Sequence, residues 1–272
     1  MEIITIAQLE LVVSRRNMWV AVSVFMMVLF SVVLTLAGGA TASNLGIDPL
    51  GVAMTSITTL AVYLVPLIAL LLSFDAIAGE LERGTLALNL SYPISRGEIL
   101  LGKFLAHFII LSFAIAVGLA VSGLLVIWRH GMVDISFAPM LRLYITALPL
   151  GAAFLGIGYL VSALARQPGV ASGLVIIIWL VLVVLYDLGL LGALVADDGG
   201  YFTNTIFPVL LLANPADAFR LLNMPEISVS ALASGLNAIG PGISKTGLLI
   251  SLLGWPVLAL FLAWIAFRKM ET

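Results

Sequence analysis

The chain has no cysteine and few charges. Of its 272 residues, 10% are Asp, Glu, Lys or Arg, where a soluble domain carries roughly 25%. The absence of cysteine excludes disulfides, thiolate metal sites, iron–sulfur clusters and thiol nucleophiles together. So few charges cannot clothe a water-soluble globule of this size, and a mean hydropathy of +1.21 agrees. The net charge of −2 offers no basic surface, so no nucleic-acid partner is expected. Catalytic patterns are missing as well. No G-x-x-x-x-G-K-[ST] is present to cradle nucleotide phosphates, and the superficially similar run from Gly240 to Thr246 has the wrong spacing. There is no H-E-x-x-H for an intramembrane metalloprotease and no G-x-S-x-G for serine chemistry. Ser112 stands five residues from His107, which does not place the two on one helical face. Cu(I) would need soft ligands, yet His107 and His130 are separated by nearly a membrane thickness and Met26 and Met27 point to different sides of a helix. No catalytic residue, cofactor or metal ligand is expected in this chain, which reads as a non-catalytic subunit.

What is abundant is apolar length. Hydrophobic residues make up 62% of the chain, and several runs approach or reach the ~20 residues that cross a ~30 Å hydrocarbon layer. Such runs satisfy their backbone in lipid only as helices, because barrel strands are shorter and alternate. Six spans are read: Trp19–Leu36, Met54–Phe74, Leu100–Trp128, Leu141–Leu164, Val170–Leu190 and Gly247–Phe267. The expected fold is an all-α membrane protein forming one transmembrane domain over residues 1–272. Without internal repeats and with few midplane charges, a secondary transporter fits poorly. With the N-terminus inside, Arg15, Arg16, Arg83, Arg96, Lys103, Arg166, Arg268 and Lys269 face the cytoplasm, and only Arg129, Arg142, Arg220 and Lys245 face outward. That excess of positive charge predicts a multi-pass inner-membrane protein with both termini cytoplasmic.

Ile3, Ile4, Ala7 and Leu11 share one helical face, so residues 1–17 read as an amphipathic helix on the inner surface or as an extension of the first span. Arg15 and Arg16 resemble a twin-arginine signal with Ala40-Thr41-Ala42 as its cleavage site, but five further spans favour a simple anchor for the first helix. The stretch from about Gly38 to Ala53 reads as outside the membrane. The region 191–246 is a long outer cap broken by Pro208, Pro215, Pro225 and Pro241. Its short apolar runs, Ile206–Ala213 and Ala216–Leu222, read as re-entrant or surface helices buried against protein.

The stretch between the second and third spans, residues 75–99, is the most informative. Gly84 can end a helix that begins near Asp75, Thr85 can open another, Pro93 can stop it, and Ser95 with Glu98 can form a capping box for the long third span. The expected product is one or two short helices parallel to the membrane that expose Glu80, Glu82 and Arg83. Such an element either docks in a groove of another protein or is a plain connector.

The string Glu80-x-x-x-Gly84-Thr85-Leu86, followed by Pro93-Ile94-Ser95-Arg96 and Leu101-Gly102-Lys103-Phe104, resembles the ABC-2 family of transporter permeases. The resemblance extends along the whole chain: a surface helix, six spans and short helices in the last outer loop. It implies an exporter-like permease fold in which Glu80, Glu82, Arg83, Gly84, Thr85, Leu86, Pro93 and Arg96 form the interface with a cytoplasmic ATPase. ATP and Mg would be bound by that partner, present in two copies beside a second copy of this chain. The string Ala213-Asn214-Pro215-Ala216-Asp217-Ala218-Phe219-Arg220 is similar to the branch of the family that serves nitrous oxide reductase maturation in denitrification. There the permease works with a periplasmic copper-handling protein of β-helix fold, which makes Asn214, Pro215, Asp217, Phe219 and Arg220 candidates for a periplasmic partner contact or gate. The alternative is a general ABC-2 exporter of a lipid, drug or polysaccharide.

Two ionisable residues in the spans remain. His107 could ligate metal or relay protons, and is expected instead to bond a neighbouring helix. Asp187 either meets water at the outer interface or, on a dimer axis, pairs with Arg142 or lines an exit.

Overall fold

The computed structural model describes residues 2–14, 18–42, 49–131, 136–197, 200–224 and 244–270. Among the described residues all regular structure is helical. Six helices are long and apolar enough to cross a membrane, and each matches one of the runs read from the sequence. The first span is α2 (Met18–Ala42), the second α3 (Pro49–Ser73), the third α6 (Arg96–His130) and the fourth α7 (Ala138–Ala165). The fifth is a composite. α8 (Pro168–Trp179) passes through a π-helical turn at Leu180–Leu185 into α9 (Tyr186–Asp197). The sixth is α12 (Lys245–Arg268). The helices outrun the apolar segments that announce them. Ala40-Thr41-Ala42 forms the last residues of α2, and α9 continues to Asp197.

α7 is the central helix. Gly151, Ala152, Ala153, Gly156 and Gly158 line it, and small side chains let neighbouring backbones approach closely in lipid. Its main packing partners are α12 and α3, followed by α6. α2, α8–α9 and α12 are peripheral and show large apolar side chains outward, among them Phe25, Ile177, Leu185 and Phe261. That pattern suits a lipid environment and would be untenable in water.

Two ends can be distinguished. The basal end carries α1 (Glu2–Ser14) and the C-terminus; the distal end carries the region after α9. α1 lies on the first half of α6. A side chain at Gly102 would sit 2.7 Å from Ile6, so the bare backbone there forms the seat for α1. As a result, Ala7 and part of Ile3 and Leu11 face protein rather than membrane, while Ile4, Leu9, Val12 and Val13 are exposed. Arg15 and Arg16 lie outside the described residues. At the distal end a second π-helical turn (Phe202–Ile206) leads into α10 (Phe207–Ala213), which turns through 99° into α11 (Pro215–Asn223). These are the two short runs read between the prolines. Pro225 and Pro241 lie outside the described residues.

Candidate functional site

Between the second and third spans stand two short helices, α4 (Ala78–Glu82) and α5 (Thr85–Leu90). Gly84 separates them at φ 72°, a left-handed turn that a residue without Cβ makes freely. Ser95 then opens α6 with a full capping box: Glu98 Oε2 accepts from Ser95 N at 2.8 Å, and Ser95 Oγ accepts from Glu98 N. The local signals Gly84, Ser95 and Glu98 thus act where they were read.

The residues of the expected interface divide into two groups. Glu82, Arg83, Gly84, Thr85 and Pro93 are exposed. Glu80, Leu86 and Arg96 turn inward. Leu86 is fully buried in an apolar cluster with Ile77, Leu100, Tyr159 and Phe267. Arg96 donates to the carbonyls of Phe267 and Met270 and lies over the Phe267 ring, so it closes the end of α12. The exposure expected of Glu80 gives way to an ion pair: its Oε1 lies 2.8 Å from Lys103 Nζ. Two exposed apolar residues were missed: Leu88 and Tyr92 are 63% and 60% exposed beside Glu82 and Arg83. Alternation within α5 was the available signal, since Leu86 and Leu88 cannot both face inward on so short a helix.

Lys103 is the centre of the basal end. Its ammonium is buried, donates to Glu10 of α1 at 2.8 Å and meets Glu80 of α4 at the same distance. His107, one turn further along α6, bonds Tyr159 of α7 through Nδ1 at 2.7 Å, as expected of a histidine joining two helices, and its Nε2 faces Glu10 at 3.7 Å. When Tyr159 donates to Nδ1, the proton on Nε2 points at that carboxylate. α4 is also held from below. Ser162 Oγ of α7 accepts from the backbone N–H groups of Ile77 and Ala78 at 3.0 and 2.9 Å. These are the otherwise unpaired donors at a helix start. α4 is therefore tied to α1, α6 and α7, and Arg83 forms a looser ion pair with Asp75 at 3.5 Å on the surface.

The distal residues are mostly inside. Asn214, Pro215, Asp217 and Phe219 are buried, and Arg220 is partly so. Asn214 caps α11 by accepting from Ala216 N, and its amide donates to Leu182 O in the π-helical turn at 2.8 Å. A π turn leaves carbonyls without their usual partners, and one of them is used here. Tyr186 donates to Leu210 O, Ser251 to Leu212 O and Trp255 to Ala213 O. Asp187 pairs with Arg220 at 2.6 Å, and not with Arg142, which is exposed. Arg220 also meets Asp217 at 3.1 Å. Asn223, at the end of α11, donates to Thr146 Oγ1 of α7 at 2.7 Å. α11 is thus a wedge set into the bundle.

A helical membrane bundle with a short basal helix pair bound to its central span has the build of a transporter's membrane subunit. The chain belongs to the ABC-2 family transporter proteins, whose signature matches residues 4–272. Its relatives include the "probable ABC transporter permease protein NosY" of Stutzerimonas stutzeri, 36% identical over 271 residues and covering 98% of both chains. The protein of the same description from Pseudomonas aeruginosa PAO1 is 37% identical over 269 residues and 97% of both chains. The chain is an ABC transporter permease of the inner membrane, similar to NosY.

Proposed function

We propose that this permease couples a separate cytoplasmic ATPase to a periplasmic β-helix protein in copper-site maturation of nitrous oxide reductase. In this reading the basal end and both termini are cytoplasmic, and two ATPase copies serve two copies of the chain. The ATPase docks on the exposed face of α4–α5, where Glu82, Arg83 and Thr85 stand beside Leu88 and Tyr92. Mixed charge around apolar anchors is the make-up of a protein interface.

The observation that supports this most is the route from that face to the wedge. Ser162 holds α4, Thr146 holds α11, and both lie on α7. Sixteen residues of helix separate them, or about 24 Å at 1.5 Å per residue. A helix is stiff along its axis, so a push on α4 moves α7 as a rod and reaches α11 without a pore. Coupling then means that the ATPase grips α4–α5 differently in two nucleotide states. The narrow, largely apolar interior suits mechanical transmission better than ion passage. The periplasmic protein meets the exposed distal rim, where Val195 and Tyr201 stand, and responds to movement of the buried wedge. The peripheral α2 and α8–α9 provide apolar surface for the second copy.

Co-purification with the ATPase tests the reading. Glu82→Lys with Leu88→Asp is expected to abolish ATPase association while the permease still inserts and folds. Undiminished association would refute the docking face.

A further inference from the structure

Arg220 serves two carboxylates, Asp187 Oδ2 at 2.6 Å and Asp217 Oδ1 at 3.1 Å. One guanidinium against two carboxylates leaves an excess negative charge at the α11 wedge. Asp217 is 2% exposed, and its second oxygen, Oδ2, has no hydrogen-bond partner. Both carboxylates meet the same guanidinium, Asp187 at Nη2 and Asp217 at Nη1. Carboxylates crowded around one cation do not both ionise readily, and a protonated acid can donate where a carboxylate only accepts.

We propose that Asp187 and Asp217 bind one proton between them, and that this proton clasps the α11 wedge to the fifth span. The proton sits on Asp217 Oδ2, the oxygen that otherwise lacks a partner, and leaves one negative charge of the pair for Arg220. The groups around the pair are otherwise uncharged among the described residues. Tyr186 of α9 and Tyr63 of α3 contribute phenols, and Asn214 of α11 an amide. Asn223 and Thr146 pair with each other, and α12 faces the wedge with Ser251 and Trp255. Arg142 of α7 is exposed. Loss of the proton sets two like charges face to face across the α11–α9 contact, so the clasp loosens as the pH on that side rises. The proton site depends on the distal geometry alone and not on which ATPase or partner is bound.

Infrared difference spectroscopy on the full chain in lipid nanodiscs tests this between about pH 5 and about pH 9, a range beyond the ordinary carboxylate values of ~3.9–4.3. The wild type is expected to keep the carbonyl stretch of a protonated carboxylic acid at neutral pH and to lose it toward pH 9. Asp217→Asn, a neutral stand-in for the protonated acid, is expected to fold normally and lack the band. Asp187→Asn leaves a single carboxylate opposite Arg220 and is expected to lack it too. Absence of the band in the wild type at neutral pH, or its persistence in both variants, would overturn the proton site. Hydrogen exchange reads the clasp separately. α11 amides should exchange faster at high pH in the wild type, after correction for intrinsic rates, and not in Asp217→Asn. Equal protection throughout in the wild type would overturn the mechanical role.

Discussion

The two ends of the bundle solve the same problem differently. Each places one cation between two carboxylates: Lys103 between Glu10 and Glu80, Arg220 between Asp187 and Asp217. At the basal end a single ammonium meets both partners at 2.8 Å, and His107 and Tyr159 close the surroundings. At the distal end one carboxylate oxygen is left without a donor. A buried charge cluster in which every member is paired is rigid, whereas one with an unpaired member has a second arrangement available. The basal cluster therefore behaves as a fixed joint that carries load, and the distal cluster as a clasp that can open.

The comparison is broken most sharply at its centre. Lys103→Met leaves two partly buried carboxylates near each other without their cation and is expected to cost up to about 3 kcal/mol. α1 should part from α4, visible as a lower melting temperature in nanodiscs and as loss of ATPase stimulation by the permease. Arg220→Gln removes the distal cation, but the acids there can take up protons, so the expected loss is smaller, with faster hydrogen exchange confined to α11. Equal losses at the two ends would erase the distinction between joint and clasp. Ser162→Ala strips the acceptor from Ile77 N and Ala78 N. It should cost about 1–3 kcal/mol for the buried donors and should uncouple ATP turnover without preventing ATPase binding. Asn214→Ala removes both a cap and the bond to Leu182 O, at roughly 1 kcal/mol for the cap. Asn214→Asp keeps the cap but loses the donor and adds a charge, so the difference in thermal stability between the two variants reports the cap net of that charge, and the loss in Asn214→Asp reports the tie to the π turn together with the charge. The smallest effect on stability belongs to Arg83→Ala, below about 1 kcal/mol because its pair with Asp75 is exposed.

How much of this was legible in the sequence follows from the range of each interaction. The six spans are runs of one composition, and a run is visible wherever it lies. Ser95 with Glu98, Gly84 between two short helices, and the prolines that frame α10 and α11 act within a turn of themselves, so their positions sufficed. Glu80 is different. Its partner Lys103 lies on another helix, and nothing near Glu80 marks it as inward-facing; Lys103 itself read only as one more positive charge at the membrane edge. Arg220 likewise counted as an outward charge, although it is the partner of Asp187 that was sought in Arg142. Arg96 was named as an interface residue through the family resemblance, and the carbonyls it meets, at the far end of the chain, could not be read from its neighbours. His107 was readable because a lone buried histidine needs a partner and only a neighbouring helix could supply one. The side of α1 that meets protein was not legible, because its apolar residues lie on both sides and the hollow at Gly102 decides between them.

The central claim is that the α4–α5 face is where a separate ATPase grips the bundle. The chain lacks cysteine, so a single cysteine at position 88 gives an unambiguous probe. In cells expressing Leu88→Cys, a membrane-impermeant maleimide added from outside should leave the residue unlabelled. A short bifunctional crosslinker that crosses the membrane should join the chain to an ATPase carrying a Walker motif. Labelling from the periplasmic side, or a crosslinked product without the ATPase, would contradict the account.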